Sequence, residues 1–146
     1  ETMLRLAAHP RIVAVKEASG SMAQVMELVS VRPEGFDVLS GDDNLTLPVL
    51  ALGGEGVVSV ASNIAPKLMG RLVAAARAGR LAEAQELHYR LLPLFRGVFL
   101  KTNPIPIKYA LFAAGLIGES YRLPLVPLED GDRRRIDSIL EQVRPE

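Results

Sequence analysis

Arg11-Ile12-Val13-Ala14-Val15-Lys16-Glu17-Ala18-Ser19-Gly20 is the stretch on which the fold turns. Its apolar run is short, rich in β-branched residues and closed by polar and glycine signals, so it reads as a buried strand of a parallel sheet. Lys16 stands alone as a charge at the carboxyl end of that run. Sheets built from βα units place their chemistry at the carboxyl ends of the strands. Low-dielectric walls at such a position disfavour an ammonium and leave more neutral amine, the nucleophile for a carbonyl carbon. The competing reading is a lysine whose stem covers apolar neighbours while its head reaches water.

Working outward, Met22, Val25, Met26, Leu28 and Val29 recur at helical spacing, which predicts an amphipathic helix from Ser21 to Val31 capped by Ser19 or Ser21. Pro33-Glu34-Gly35 breaks it, and Phe36-Asp37-Val38-Leu39-Ser40 reads as a second strand ending in Gly41-Asp42-Asp43. The unit then repeats. Asn44 to Leu52 is a helix capped by Asp42 or Asp43, Gly53-Gly54-Glu55-Gly56 turns the chain, and Val57-Val58-Ser59-Val60 is a third strand. Ser62-Asn63 opens a further helix that Gly79 stops.

From Leu81 only helical periodicity remains: Leu81 to about Leu100, Ile107 to Ala114 after the Asn103-Pro104-Ile105-Pro106 elbow, and about Arg133 to Val143. Pro124 and Pro127 keep Arg122 to Leu128 out of helix, so that segment is expected to lie extended over an apolar surface. Three parallel strands with their helices and then a helical region make an α/β architecture, with 1–79 as the strand-bearing part and 80–146 as the helical domain. Three strands cannot close a barrel, which needs eight. The chain starts at Glu1 and reads as the back part of something larger, with the Arg11–Lys16 strand as its first element.

Composition narrows the chemistry. Seventeen basic and seventeen acidic residues cancel, which favours neither nucleic acid nor an anionic membrane surface. There is no cysteine, and with His9 and His88 as the two histidines an imidazole metal centre is not expected. No apolar run reaches the roughly 18 residues of a membrane-spanning helix, and a cytoplasmic setting is expected. Gly41-Asp42-Asp43 could attract a hard cation, but capping of the next helix is the better reading. Gly53-Gly54-Glu55-Gly56 precedes a strand instead of opening a helix, the wrong order for a dinucleotide fingerprint. Arg133-Arg134-Arg135 reads as a solvated helix face with no partner.

Val15-Lys16-Glu17-Ala18-Ser19-Gly20, Leu39-Ser40-Gly41-Asp42-Asp43, Gly53 to Val60 and Asn103-Pro104-Ile105-Pro106-Ile107-Lys108 resemble, in order and spacing, the carboxyl-terminal half of the dihydrodipicolinate synthase family. The resemblance implies the sixth to eighth strands of a TIM (β/α)8 barrel followed by a C-terminal helical domain. It implies that Lys16 forms an imine with pyruvate, whose enamine attacks L-aspartate 4-semialdehyde to give 4-hydroxy-tetrahydrodipicolinate, on the route to diaminopimelate and lysine. Val58 then borders pyruvate through its backbone, Gly41 keeps the space beside the imine clear, and Asp42 stands behind without touching substrate. No metal and no cofactor are implied, and a homotetramer is. The family's relay tyrosine and acceptor-binding arginine belong to earlier strands, and Tyr89, Tyr109 and Tyr121 do not replace them. Sibling pyruvate lyases, such as N-acetylneuraminate lyase and the 2-keto-3-deoxy sugar acid aldolases, would share Lys16 and differ in acceptor. A non-catalytic half-barrel module that needs another chain is the alternative from a different class.

Overall fold

The computed structural model describes residues 1–145; the final position of the expected 80–146 region lies outside them. The first element is a short helix, α1 (Thr2–Ala7), ahead of the strand that the sequence reading put first. Its residues lack the long periodic stripe by which a helix is read, since six residues make under two turns. Strand β1 (Ala14–Glu17) follows, shifted toward the carboxyl side of the expected run. Helix α2 (Met22–Val31) starts as expected, with Ser21 accepting a hydrogen bond from the Gln24 amide at 3.3 Å.

Strand β2 (Asp37–Ser40) pairs in parallel with β1, Lys16 opposite Leu39. After it come a 3-10 turn, Asp43–Leu45, and α3 (Thr46–Ala51). No side chain caps either one, which corrects the expectation for Asp42 and Asp43. The glycine turn is where it was expected. Gly53 takes φ +95°, and a Cβ on Gly54 would stand 2.5 Å from Val49 Cγ1 and 2.9 Å from the Val49 carbonyl oxygen, so only glycine fits. Strand β3 is shorter than Val57–Val60: it comprises Gly56–Val57 and pairs with β2, giving the order β1-β2-β3. Ser59 and Val60 already bend into a second 3-10 turn, Ala61–Asn63.

Four helices complete the chain: α4 (Pro66–Arg77), α5 (Leu81–Gly97), α6 (Ile105–Ala113) and α7 (Asp130–Val143). Pro66 opens α4, where its missing N–H costs nothing, but the residue before the helix is Ala65 and the expected Ser62-Asn63 cap is absent. Gly79 at φ +71° ends it. Helix α5 runs through Pro93, which removes one helical hydrogen bond, because Leu91, Leu94 and Phe95 around it are buried and hold the helix from its inner face. The largest side chains fully shut from water are Leu68 and Leu72 of α4, Leu91 and Leu94 of α5 and Ile136 of α7. The main core therefore lies among helices and runs across residue 79, since α4 packs most heavily on α5.

The proline segment 122–128 is irregular, as expected, but only in part laid on apolar surface. Leu125 and Leu128 pack inward while Leu123 and Val126 face solvent. Arg133 corrects the reading of a solvated arginine face. Its guanidinium grips Glu119 through two bonds of 2.7 and 3.2 Å, donates to the Leu128 carbonyl at 2.9 Å and lies over the Tyr109 ring. It thereby straps the irregular segment to α7 and α6.

Candidate functional site

In a parallel ladder, residues paired across strands point to the same face. Lys16, Leu39 and Gly56 are so paired, and share one face; Val15 and Val38 share the other. The second face is covered by helices: Val38 is fully buried, Ser40 nearly so, and Glu17 is buried with its carboxylate accepting from the Ser19 amide at 3.0 Å and from Gln24 Nε2 at 2.9 Å. Glu17 thus fixes the loop that leaves β1 just after Lys16. The Lys16 face is the open one. Lys16 is exposed, so this chain's own residues do not supply the apolar walls expected around it.

Gly41 stands against the lysine. A Cβ there would lie 2.4 Å from Ala18 Cβ, 2.9 Å from the Glu17 carbonyl oxygen and 3.0 Å from Lys16 Cε. The last carbon of the lysine stem therefore passes through the space that a side chain at Gly41 would fill. Val58 follows β3 at the same strand-end level, 43% exposed, and its N–H donates to the Ser40 carbonyl at 2.8 Å. Asp42 is half-buried, and its backbone is held by Ser40, whose Oγ donates to the Asp42 carbonyl at 2.8 Å and accepts from the Asp42 N–H at 3.2 Å. Lys16, Gly41 and Val58 thus come together at the strand ends, with Asp42 beside them in the turn.

Asp43 was read as a helix cap, and the fold puts it to another use. It is 1% exposed, and its Oδ2 accepts from the Val60 and Ala61 amides at 3.1 and 3.0 Å. Its Oδ1 is buried without a protein partner. Burying a carboxylate is costly, and two charge-assisted bonds from backbone donors offset part of that cost. Local spacing could not reveal this, because the donors lie 17 and 18 residues downstream.

A cavity of about 450 Å³ is a different feature. It is an open cleft along the free edge of β1, bounded by Met3 and Leu4 of α1 and Gln24, Leu28 and Val31 of α2. Lys16 borders it, but Gly41, Asp42 and Val58 do not. The strand-end grouping therefore shares only Lys16 with this cleft. Among the described residues no group of three or more His, Asp or Glu side chains is placed to hold a metal ion, and no helix is long and apolar enough to cross a membrane.

Elsewhere, burial pushes the Tyr109 hydroxyl pKa up, as does its hydrogen bond to Asp137, and it lowers the pKa of His88. Both lie in the helical half. The Tyr109 hydroxyl donates to the Asp137 carboxylate at 3.0 and 3.1 Å.

Residues 1–143 match the model of the dihydrodipicolinate synthetase family. The 4-hydroxy-tetrahydrodipicolinate synthase of Chlorobium limicola is 52% identical over 143 residues, covering 97% of this chain and 48% of that protein. Among solved structures, a monomeric dihydrodipicolinate synthase variant superposes with a TM-score of 0.94 at 39% identity, covering 99% of this chain and 50% of that one. The chloride-inhibited dihydrodipicolinate synthase of Acinetobacter baumannii, complexed with pyruvate, has a TM-score of 0.94 at 36% identity over 99% of this chain and 50% of its own. The chain spans about half the length of the curated relatives it matches, their carboxyl-terminal half. With its strand-end lysine, cleared by Gly41, on a parallel sheet followed by helices, the chain belongs to the dihydrodipicolinate synthetase family.

Proposed function

We propose that the chain supplies the imine-forming lysine of a 4-hydroxy-tetrahydrodipicolinate synthase, as the sixth to eighth strands of a (β/α)8 barrel whose earlier strands come from an amino-terminal half. Residues 1–79 serve the chemistry and 80–146 the packing and association of subunits. The observation that carries the proposal is the contact geometry of Lys16 and Gly41, in a chain whose relatives bear that enzyme's name. A cytoplasmic setting goes with this reading.

In the reaction, the neutral Lys16 amine adds to the C2 carbonyl of pyruvate, and loss of water gives the imine. A proton then leaves the methyl carbon to form an enamine. Its carbon attacks the aldehyde of L-aspartate 4-semialdehyde and forms the new carbon–carbon bond. The substrate's own amino group next attacks the imine carbon, closing the ring and releasing Lys16 as free amine. One water is lost overall. Gly41 leaves room for the stem at every stage, and Val58 lines the pyruvate side with backbone. The proton steps need an acid and base beyond these residues, and such groups typically contribute about 10²–10⁴-fold in rate. They belong to the amino-terminal half in this reading.

Exposed Phe99, Phe112, Leu116 and Leu123 on the helical half support the further proposal of a homotetramer. The imine chemistry does not depend on it. The test is complementation: the 146-residue chain alone should condense pyruvate with aspartate semialdehyde slowly or not at all, and mixing with a fragment carrying the first five strands of a homologous synthase should restore the rate. A rate for the chain alone equal to that of a full-length homologue contradicts the half-barrel reading.

A further inference from the structure

We propose that Asp43 is a positioning residue for pyruvate, acting through the backbone that follows Val58; the inference rests on the reading of Lys16 and Val58 given above. Asp43 lies two positions after Gly41, and its donors Val60 and Ala61 lie two and three positions after Val58. One buried carboxylate therefore ties the end of β2, where the lysine stem is cleared, to the end of β3, where the substrate's carbonyl compound is bordered by backbone.

Two features separate this from ordinary capping. First, the 3-10 turn and α3 that Asp43 introduces receive no side-chain cap at all, so the carboxylate's bonds go to another segment instead of its own helix. Second, the loop after Val58 otherwise bonds to itself: the Ser62 N–H donates to Ser59 Oγ at 2.8 Å, and Asn63 Nδ2 donates to the Val60 carbonyl at 3.0 Å. Among the described residues, the bonds that fix this loop to the sheet side are the Val58 N–H to Ser40 carbonyl bond and the pair to Asp43. Without Asp43, the Val58 backbone keeps its hydrogen-bonded anchor on the amino side, while its carboxyl side is held by the packing of Ala61 and Ile64 alone. A misplaced wall of this kind weakens binding of a small ligand while leaving the nucleophile intact.

The test uses the full chain in the complemented assembly, treated with pyruvate over a range of concentrations and quenched with borohydride. The extent of Lys16 modification gives a half-saturating concentration and a limiting extent. Asp43→Ala, which removes the oxygen that accepts both amides, is expected to raise the half-saturating concentration about tenfold while the limiting extent stays within about twofold. Leu91→Ala, which destabilises the helical core, should leave half-saturation unchanged. An unchanged half-saturation in Asp43→Ala overturns the positioning role. Should that variant not fold, amide exchange in the parent decides: Val60 and Ala61 are expected to be protected well beyond an open loop, and free exchange there overturns the assignment. No Lys16 adduct in the parent assembly removes the functional reading itself, and the role of Asp43 with it.

Discussion

The two halves of this chain bury themselves in different ways. In the helical half, Leu91, Leu94 and Ile136 are sealed against Leu68 and Leu72 of α4, which itself belongs to the strand-bearing part. On the strands, Val38 and Ser40 reach comparable burial, while Val13 just before β1 is 63% exposed and Lys16 faces solvent. Packing is densest where no chemistry is proposed and thinnest where it is. The lesson is that dense burial and the proposed chemistry fall on separate surfaces: α4, the last helix of the strand-bearing part, joins the helical core, while the open face of the sheet carries Lys16.

The sharpest way to break this comparison is to remove bulk from each side. Leu91→Ala should cost about 2–5 kcal/mol, and Val13→Ala should stay within about 0.5 kcal/mol, both measured by urea unfolding. Equal losses would erase the distinction. Gly41→Ala tests the strand ends. Its Cβ would meet Ala18 Cβ at 2.4 Å and backbone oxygen at 2.9 Å, so a cost of about 1–3 kcal/mol is expected together with a slower imine at Lys16. Retained stability and adduct rate would show that the crowding at Gly41 is relieved in solution.

A smaller contrast lies within one arginine triplet. Arg133→Ala breaks the bonds to Glu119 and Leu128 and should cost about 1–3 kcal/mol, whereas exposed Arg134→Ala should change stability by less than about 0.5 kcal/mol. Thermal melts of the two variants settle it. The smallest effect concerns acid. Burial lowers the pKa of His88 from the ordinary 6.5, so below that pH the unfolded chain binds a proton that the folded chain resists. Stability then falls as pH falls through 6.5, and His88→Leu should flatten that part of the curve. An identical pH slope in His88→Leu would place the acid sensitivity on other groups.

Features encoded locally were legible in the sequence. Ser21 as cap of α2, the Gly53-Gly54 turn, Gly79 as the stop of α4 and the strand ending at Gly41 each depend on a residue and its near neighbours. What escaped was settled over distance. Asp43 looked like a cap because short polar residues before helices usually are, yet the amides of Val60 and Ala61 claimed it. Arg133 looked solvated because its triplet is charged, yet Glu119 and the Leu128 carbonyl enclose it. Strand β3 looked longer because Val57, Val58 and Val60 are apolar, but pairing to β2 ends at Val57 and the chain turns. The resemblance placed Lys16, Gly41 and Val58 in one site, and the fold sets those residues at the strand ends of one sheet.

The most direct trial of the central claim is to reduce a pyruvate-treated sample with borohydride and locate the adduct by peptide mass spectrometry. The account predicts a single modified lysine, Lys16, and its loss in Lys16→Arg, because a guanidinium stays protonated and cannot add to a carbonyl. An adduct on Lys67, Lys101 or Lys108 with Lys16 unmodified would contradict it.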